Sequence, residues 1–176
     1  MAKNDEKVDS LNKYNRNEDD DLVKMKELYE RLKSRYSGLP SFDKLNEEFD
    51  IGKVDFNEVT LARDVRKAMI NKFFAILNFV EMLLNPSNGT MFQMFLVKGI
   101  NSVEKDILNK LFEELGIIEI ESFYLDINYN EDKEVEFIVK NFQEWPEMKK
   151  ELNKVIESLR NNWRKTSSSK GKSYFG

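Results

Sequence analysis

The stretch from Asn57 to Leu84 constrains this chain more than any other. It sets Val59, Ala62, Met69, Phe73, Ile76, Val80 and Leu83 at three- and four-residue steps, then meets Asn85–Pro86. That spacing gathers the side chains on one face of a helix. A residue before proline is pushed out of the α region, so the helix has to stop there. Arg66 interrupts the inner stripe. From Ile70 onward a second stripe of Phe74, Leu77 and Leu84 joins the first. The helix therefore begins amphipathic and turns apolar nearly all round, which predicts a central core rod with other helices packed about it. Its most apolar part, Phe73 to Leu84, holds Asn78 and Glu81 and falls short of the roughly 20 apolar residues a membrane span needs.

The flanking segments follow the same period. Leu22, Met25, Leu28, Tyr29 and Leu32 predict a helix over Asp21–Tyr36, with the acidic run Asp19–Asp21 where a helix N-terminus favours negative charge. Gly38 and Pro40 close it, and Ser41 caps a short helix carrying Phe42, Leu45 and Phe49, ended by Gly52. After a loop from Pro86 to Thr90, Met91–Val97 reads as a short helix closed by Gly99. Ser102 opens the next, with Val103, Ile107, Leu108, Leu111, Phe112 and Leu115 facing inward.

The run after Gly116, IIEIESFYLDINY, is strand-like in composition and could pair with Glu134–Val139 as a hairpin. Asn130, however, looks like an N-cap. Val135, Ile138, Val139 and Phe142 then fall at helical spacing. A lone strand would leave its ladder groups unpaired. The helical stripe Leu111, Leu115, Ile118, Ser122, Leu125 also continues without a break, so a helix is expected here. A last helix is expected from Pro146, a favoured first position, burying Met148, Leu152, Val155, Ile156, Leu159 and Trp163. The fold class expected is all-α: a compact bundle of about six helices over residues 21–165 with a long central helix and flexible ends. Residues 1–20 are polar and acidic, and residues 166–176 are rich in serine and glycine. Both are expected to stay disordered, because neither buries enough apolar surface to offset the entropy of ordering.

The chain has no cysteine and no histidine. Disulfides, zinc sites of Cys and His, and Cys–His or Ser–His catalysis are excluded on that ground. With seven glycines and no glycine-rich loop, phosphate cradles of the Walker or dinucleotide type are excluded too. No secretory signal opens the sequence, and a cytoplasmic location is expected.

Three charged groupings remain. Arg63, Arg66 and Lys67, with Lys72 a turn further on, could hold a phosphate, but pairing with Asp64 and Glu58 along a solvated face explains them more simply. The acidic residues between Glu113 and Glu136 could bind a hard cation or act as an acid–base pair, yet they match no EF-hand pattern and read as a solvated face. The C-terminal end is the most distinctive. From Ser158 on it carries Arg160, Arg164, Lys165, Lys170 and Lys172 and no acid, with Tyr174–Phe175 at its tip. Expected, therefore, is a non-enzymatic interaction or adaptor protein without metal or cofactor, engaging a protein partner through Lys170, Lys172, Tyr174 and Phe175. The second reading is a nucleic-acid- or ribosome-associated protein that uses this tail and the Arg63, Arg66 and Lys67 patch, since aromatics stack on bases and cations meet phosphates. A carboxylate-dependent enzyme keeps a minor place, and no membrane partner is expected.

Overall fold

The computed structural model describes residues 22–86 and 90–170, with side chains through Arg164. These residues are all-α. Six α-helices succeed one another: α1 (residues 22–35), α2 (Phe42–Phe49), α3 (Leu61–Leu84), α4 (Met91–Val97), α5 (Ser102–Ile127) and α6 (Glu131–Lys170). Two 3-10 turns, Ile51–Lys53 and Glu58–Thr60, lead from α2 into α3. No strand occurs among the described residues. The expected disorder of residues 1–20 and the tail residues Lys172, Tyr174 and Phe175 lie outside them. Residues 166–170, expected to belong to that tail, instead continue α6.

The helix ends follow from their caps. Ser41 accepts from the Lys44 amide to start α2, and Asp50, at a left-handed φ of 54°, ends it; the stop lies before Gly52. Reciprocal capping boxes start α4 at Thr90 and Gln93 and α5 at Asn101 and Glu104. The Asn130 side chain accepts from the Lys133 amide at 3.0 Å, which opens α6. The segment expected to be helical over 117–129 is helical to Ile127, with Asn128 as its C-cap, and Leu111, Leu115, Ile118, Ser122 and Leu125 are all buried.

Helix α6 departs from expectation. It begins at Glu131 and runs unbroken through Pro146, where a new helix was predicted. A proline inside a helix removes one backbone hydrogen bond and costs about 3 kcal/mol. Here it sits on the exposed side, where the freed carbonyl can meet water, while Trp145 and Met148 beside it are buried.

The chain divides into two compact units, residues 1–69 with 129–139 and residues 70–128 with 140–176. In the first, Met25, Tyr29, Phe42, Leu45, Ile51, Val65 and Ile138 form the core. The Tyr29 ring meets Phe42 edge-on at 5.8 Å, and its hydroxyl donates to the Pro40 carbonyl at 2.9 Å. In the second, Phe73, Val80, Leu83, Leu108, Leu111, Leu115, Met148 and Val155 are buried, and Phe73 meets Trp145 edge-on at 5.7 Å. Several residues expected inside are not: Val59, Phe74, Val103, Phe112, Ile156 and Trp163 are exposed. The second stripe of α3 is therefore only partly covered.

Phe73 is 1% exposed, so Phe73→Ala should lower stability by about 3–5 kcal/mol in a denaturant titration, the range for emptying a buried aromatic site. A loss below about 1 kcal/mol would remove Phe73 from the core.

Candidate interaction surfaces

The structure separates the three cations proposed as a patch. Arg66 is 0% exposed and bonded through Nε to Glu134, which is itself 0% exposed. Arg63 lies 3.4 Å from the other Glu134 oxygen, with its guanidinium 4.3 Å from the centre of the Tyr129 ring. The Tyr129 hydroxyl donates to the Val59 carbonyl at 3.2 Å, and burial pushes its pKa up. Arg66 therefore belongs to no surface patch: a guanidinium on the inner stripe of α3 needs a carboxylate beside it, and the first turn of α6 supplies one. Of the three, Lys67 is exposed, Arg63 half-buried and Arg66 buried.

The acidic residues are likewise dispersed. Glu131 is bonded to Arg35 at 2.6 Å, and Asp132 accepts from the Tyr36 hydroxyl at 2.5 Å. Glu121 meets Lys140, Glu114 meets Lys110 and Glu136 meets Lys133. The Asp132 hydrogen bond is the main cause raising the Tyr36 pKa to about 12. Among the described residues no group of three acids is placed to hold a metal ion. A cleft of about 440 Å³ has Ile107, Leu111, Ile117, Ile118 and Met148 in its lining, with Lys110, Glu114, Lys140, Glu147 and Glu151 among them. There Lys154 lowers the Glu151 pKa through a direct hydrogen bond.

Two apolar surfaces stand out instead, both in the second unit. The first joins α4 to the late part of α6. Trp163 is 41% exposed and meets Phe92 at 5.1 Å and Phe95 at 6.5 Å, both edge-on. Met91, Phe92 and Met94 of α4 are 76%, 53% and 52% exposed. Gly99 makes this approach possible: a Cβ there would stand 2.7 Å from the Asn162 amide nitrogen, which donates to the Gly99 carbonyl. Lys98 lies 5.4 Å from the centre of the Phe95 ring, and Arg160 precedes Trp163 by three residues, on the same helix face. No acid occurs in residues 91–103 or after Glu157, so the rim is cationic.

The second surface is the outer face of α5. Opposite its buried stripe, Ile117, Ile120, Tyr124 and Ile127 are 56%, 70%, 64% and 82% exposed, and Phe123 is exposed beside them. Gly116 lies at the N-terminal end of this face. A Cβ there would meet nothing within 4 Å, and no glycine of the described residues has a positive φ. Glycine inside a helix costs about 1 kcal/mol relative to alanine, and nothing in this chain's own packing requires it.

Both surfaces could have been noticed in the sequence. MFQMFLV is apolar at almost every position, and seven residues of helix cannot bury all sides. The 112–127 segment carries apolar residues on two opposite helical stripes. The helix long and apolar enough to cross a membrane is absent among the described residues. The chain matches no known protein family, no curated protein and no solved structure.

Two outcomes test this description. Glu134→Ala should cost about 3–5 kcal/mol, because it removes the carboxylate that faces the buried Arg66 guanidinium. The double variant Arg66→Met, Glu134→Leu should cost markedly less in the same denaturant titration. The raised Tyr36 pKa means that its contact with Asp132 is intact below the ordinary tyrosine value near 10 and is lost as pH rises through about 12. Phenolate absorbance should accordingly lose a transition near pH 12 in Tyr36→Phe.

Proposed function

We propose that the protein is a non-enzymatic interaction protein, working in the cytoplasm, that engages an acidic apolar segment of a larger protein through the α4–α6 surface. Exposed Trp163, edge-on to Phe92 on a helix whose Met91 and Met94 are also exposed, carries this reading. Tryptophan and arginine dominate binding energy at protein interfaces, and methionine side chains adapt to irregular partners. The cationic rim of Lys98, Arg160 and Arg164 favours carboxylates on the partner. In sequence, Lys170, Lys172, Tyr174 and Phe175 extend the same basic and aromatic character.

Nucleic-acid binding is the second reading, favoured by the same cations beside exposed aromatics. It loses Arg66, which is buried.

Binding of an acidic amphipathic peptide, followed by fluorescence anisotropy, tests the proposal. Trp163→Ala should weaken it by at least about 2 kcal/mol, or some thirtyfold, with little change in the unfolding midpoint. Removing residues 166–176 should weaken it less. If a single-stranded oligonucleotide binds instead, with a salt slope that falls by about two phosphate equivalents when Lys170 and Lys172 are removed, the nucleic-acid reading replaces this one.

A further inference from the structure

We infer that the α4–α6 surface takes the acidic N-terminal segment of a second copy of this chain, residues 8–23, so that copies associate head to tail until another acidic partner displaces that segment. This rests on the reading above, since it uses the same surface, and it names a partner that the chain itself supplies.

Charge carries the argument. Glu18–Asp21 is the one run of more than two consecutive acids in the sequence, and residues 1–21 hold seven acids against four bases. The chain after Glu157 has five bases and no acid. Lys98 and Arg160 are exposed, and neither has a carboxylate partner among the described residues. The segment is apolar as well as acidic. Val8, Leu11 and Tyr14 stand at three-residue steps before the acidic run, and Leu22 and Val23 directly after it are exposed at the start of α1. Acids set between apolar side chains complement a surface that combines exposed Trp163 and Phe92 with Lys98 and Arg160.

The same charges decide how two copies meet. Copies joined Trp163 face to Trp163 face would bring Lys98 and Arg160 against themselves, and like charges across an interface oppose association. A contact between the segment of one copy and the face of the next meets opposite charge instead. Such a contact is heterologous, because two different patches of the chain take part in it.

Sedimentation velocity on the full chain over a concentration series tests this. The unsubstituted chain should associate as concentration rises, and added salt should disperse it. Glu18→Gln with Asp19→Asn and Asp20→Asn removes the acidic run and leaves Asp21 at the start of α1. Trp163→Ala removes the face, and Lys98→Gln with Arg160→Gln replaces it should the tryptophan variant lose helicity. Each variant alone should need at least about tenfold more protein to associate, with circular dichroism unchanged. Their equimolar mixture is the sharper measurement. One component keeps its face and the other its segment, so association should return in the mixture alone.

An unsubstituted chain that stays monomeric at every concentration overturns the inference. So does a mixture that stays monomeric while the unsubstituted chain associates, since the copies then meet through another surface. The acidic amphipathic peptide separates this inference from the proposed function. If it binds at Trp163 and disperses the associated chain, both stand. If it binds there without dispersing the chain, or binds a chain that is monomeric, the inference fails and the proposed function stands. If it fails to bind while the mixture associates, the surface serves self-association and the proposed function falls. If the peptide fails to bind and the chain is monomeric, both fall.

Discussion

A buried guanidinium and a buried carboxylate hold the first unit in register. Taking either charge out of water alone costs several kcal/mol, so Arg66 is tolerated inside only because Glu134 is beside it. Around this pair the local structure is tightly determined. Asn130 caps α6 so that Glu134 falls in its first turn, where the helix dipole also favours a carboxylate. Arg63 reaches the second oxygen and lies over Tyr129, which is bonded in turn to the Val59 carbonyl. Arg35 and Tyr36 from the end of α1 take the neighbouring acids Glu131 and Asp132. A shift of α6 by one residue would break every one of these contacts together. Apolar packing alone would tolerate such a slip far better, and here lies the use of placing ions where they are costly.

The second unit follows a different rule. Its helices carry more apolar surface than they cover. Phe73, Trp145, Leu108, Leu111 and Leu115 make a conventional core, while Met91, Phe92, Trp163 and the outer isoleucines of α5 stay in contact with water. Hydrophobic residues scattered singly on a surface need no explanation, but ridges at helical spacing do. Near Trp163 the neighbouring charges are cationic, with Lys98 beside Phe95 and Arg160 one helical turn before the tryptophan.

The candidate site was legible in part. The basic C-terminal end and the aromatic character near it were visible from composition, and Arg160 does share a helix face with the exposed Trp163. Trp163 itself was assigned to the core, because periodicity shows which residues share a face but not whether another element covers that face. The same limit hid the outer stripe of α5. Its two apolar stripes made the segment look strand-like, and nothing local distinguishes the covered stripe from the open one. Arg66 carried a usable signal that was read only halfway. A cation in the middle of an apolar stripe implies a buried carboxylate, but the chain has 32 acidic residues and no local rule selects Glu134.

What the sequence determined by itself was local: the helical class, the caps at Ser41 and Asn130, the stop at Asn85–Pro86, and the buried stripe from Leu111 to Leu125. Each depends on residues within about one or two helical turns, where spacing and capping chemistry decide the backbone. Tertiary structure decided the rest. It carried α6 through Pro146, because the exposed side of the helix can give up one hydrogen bond while Trp145 and Met148 remain buried. It joined Arg66 to Glu134 across 68 residues of chain. It also left one ridge of α5 covered and the other open. Burial is a property of what lies opposite, and the partner of a given face comes from a distant part of the chain that no local pattern names.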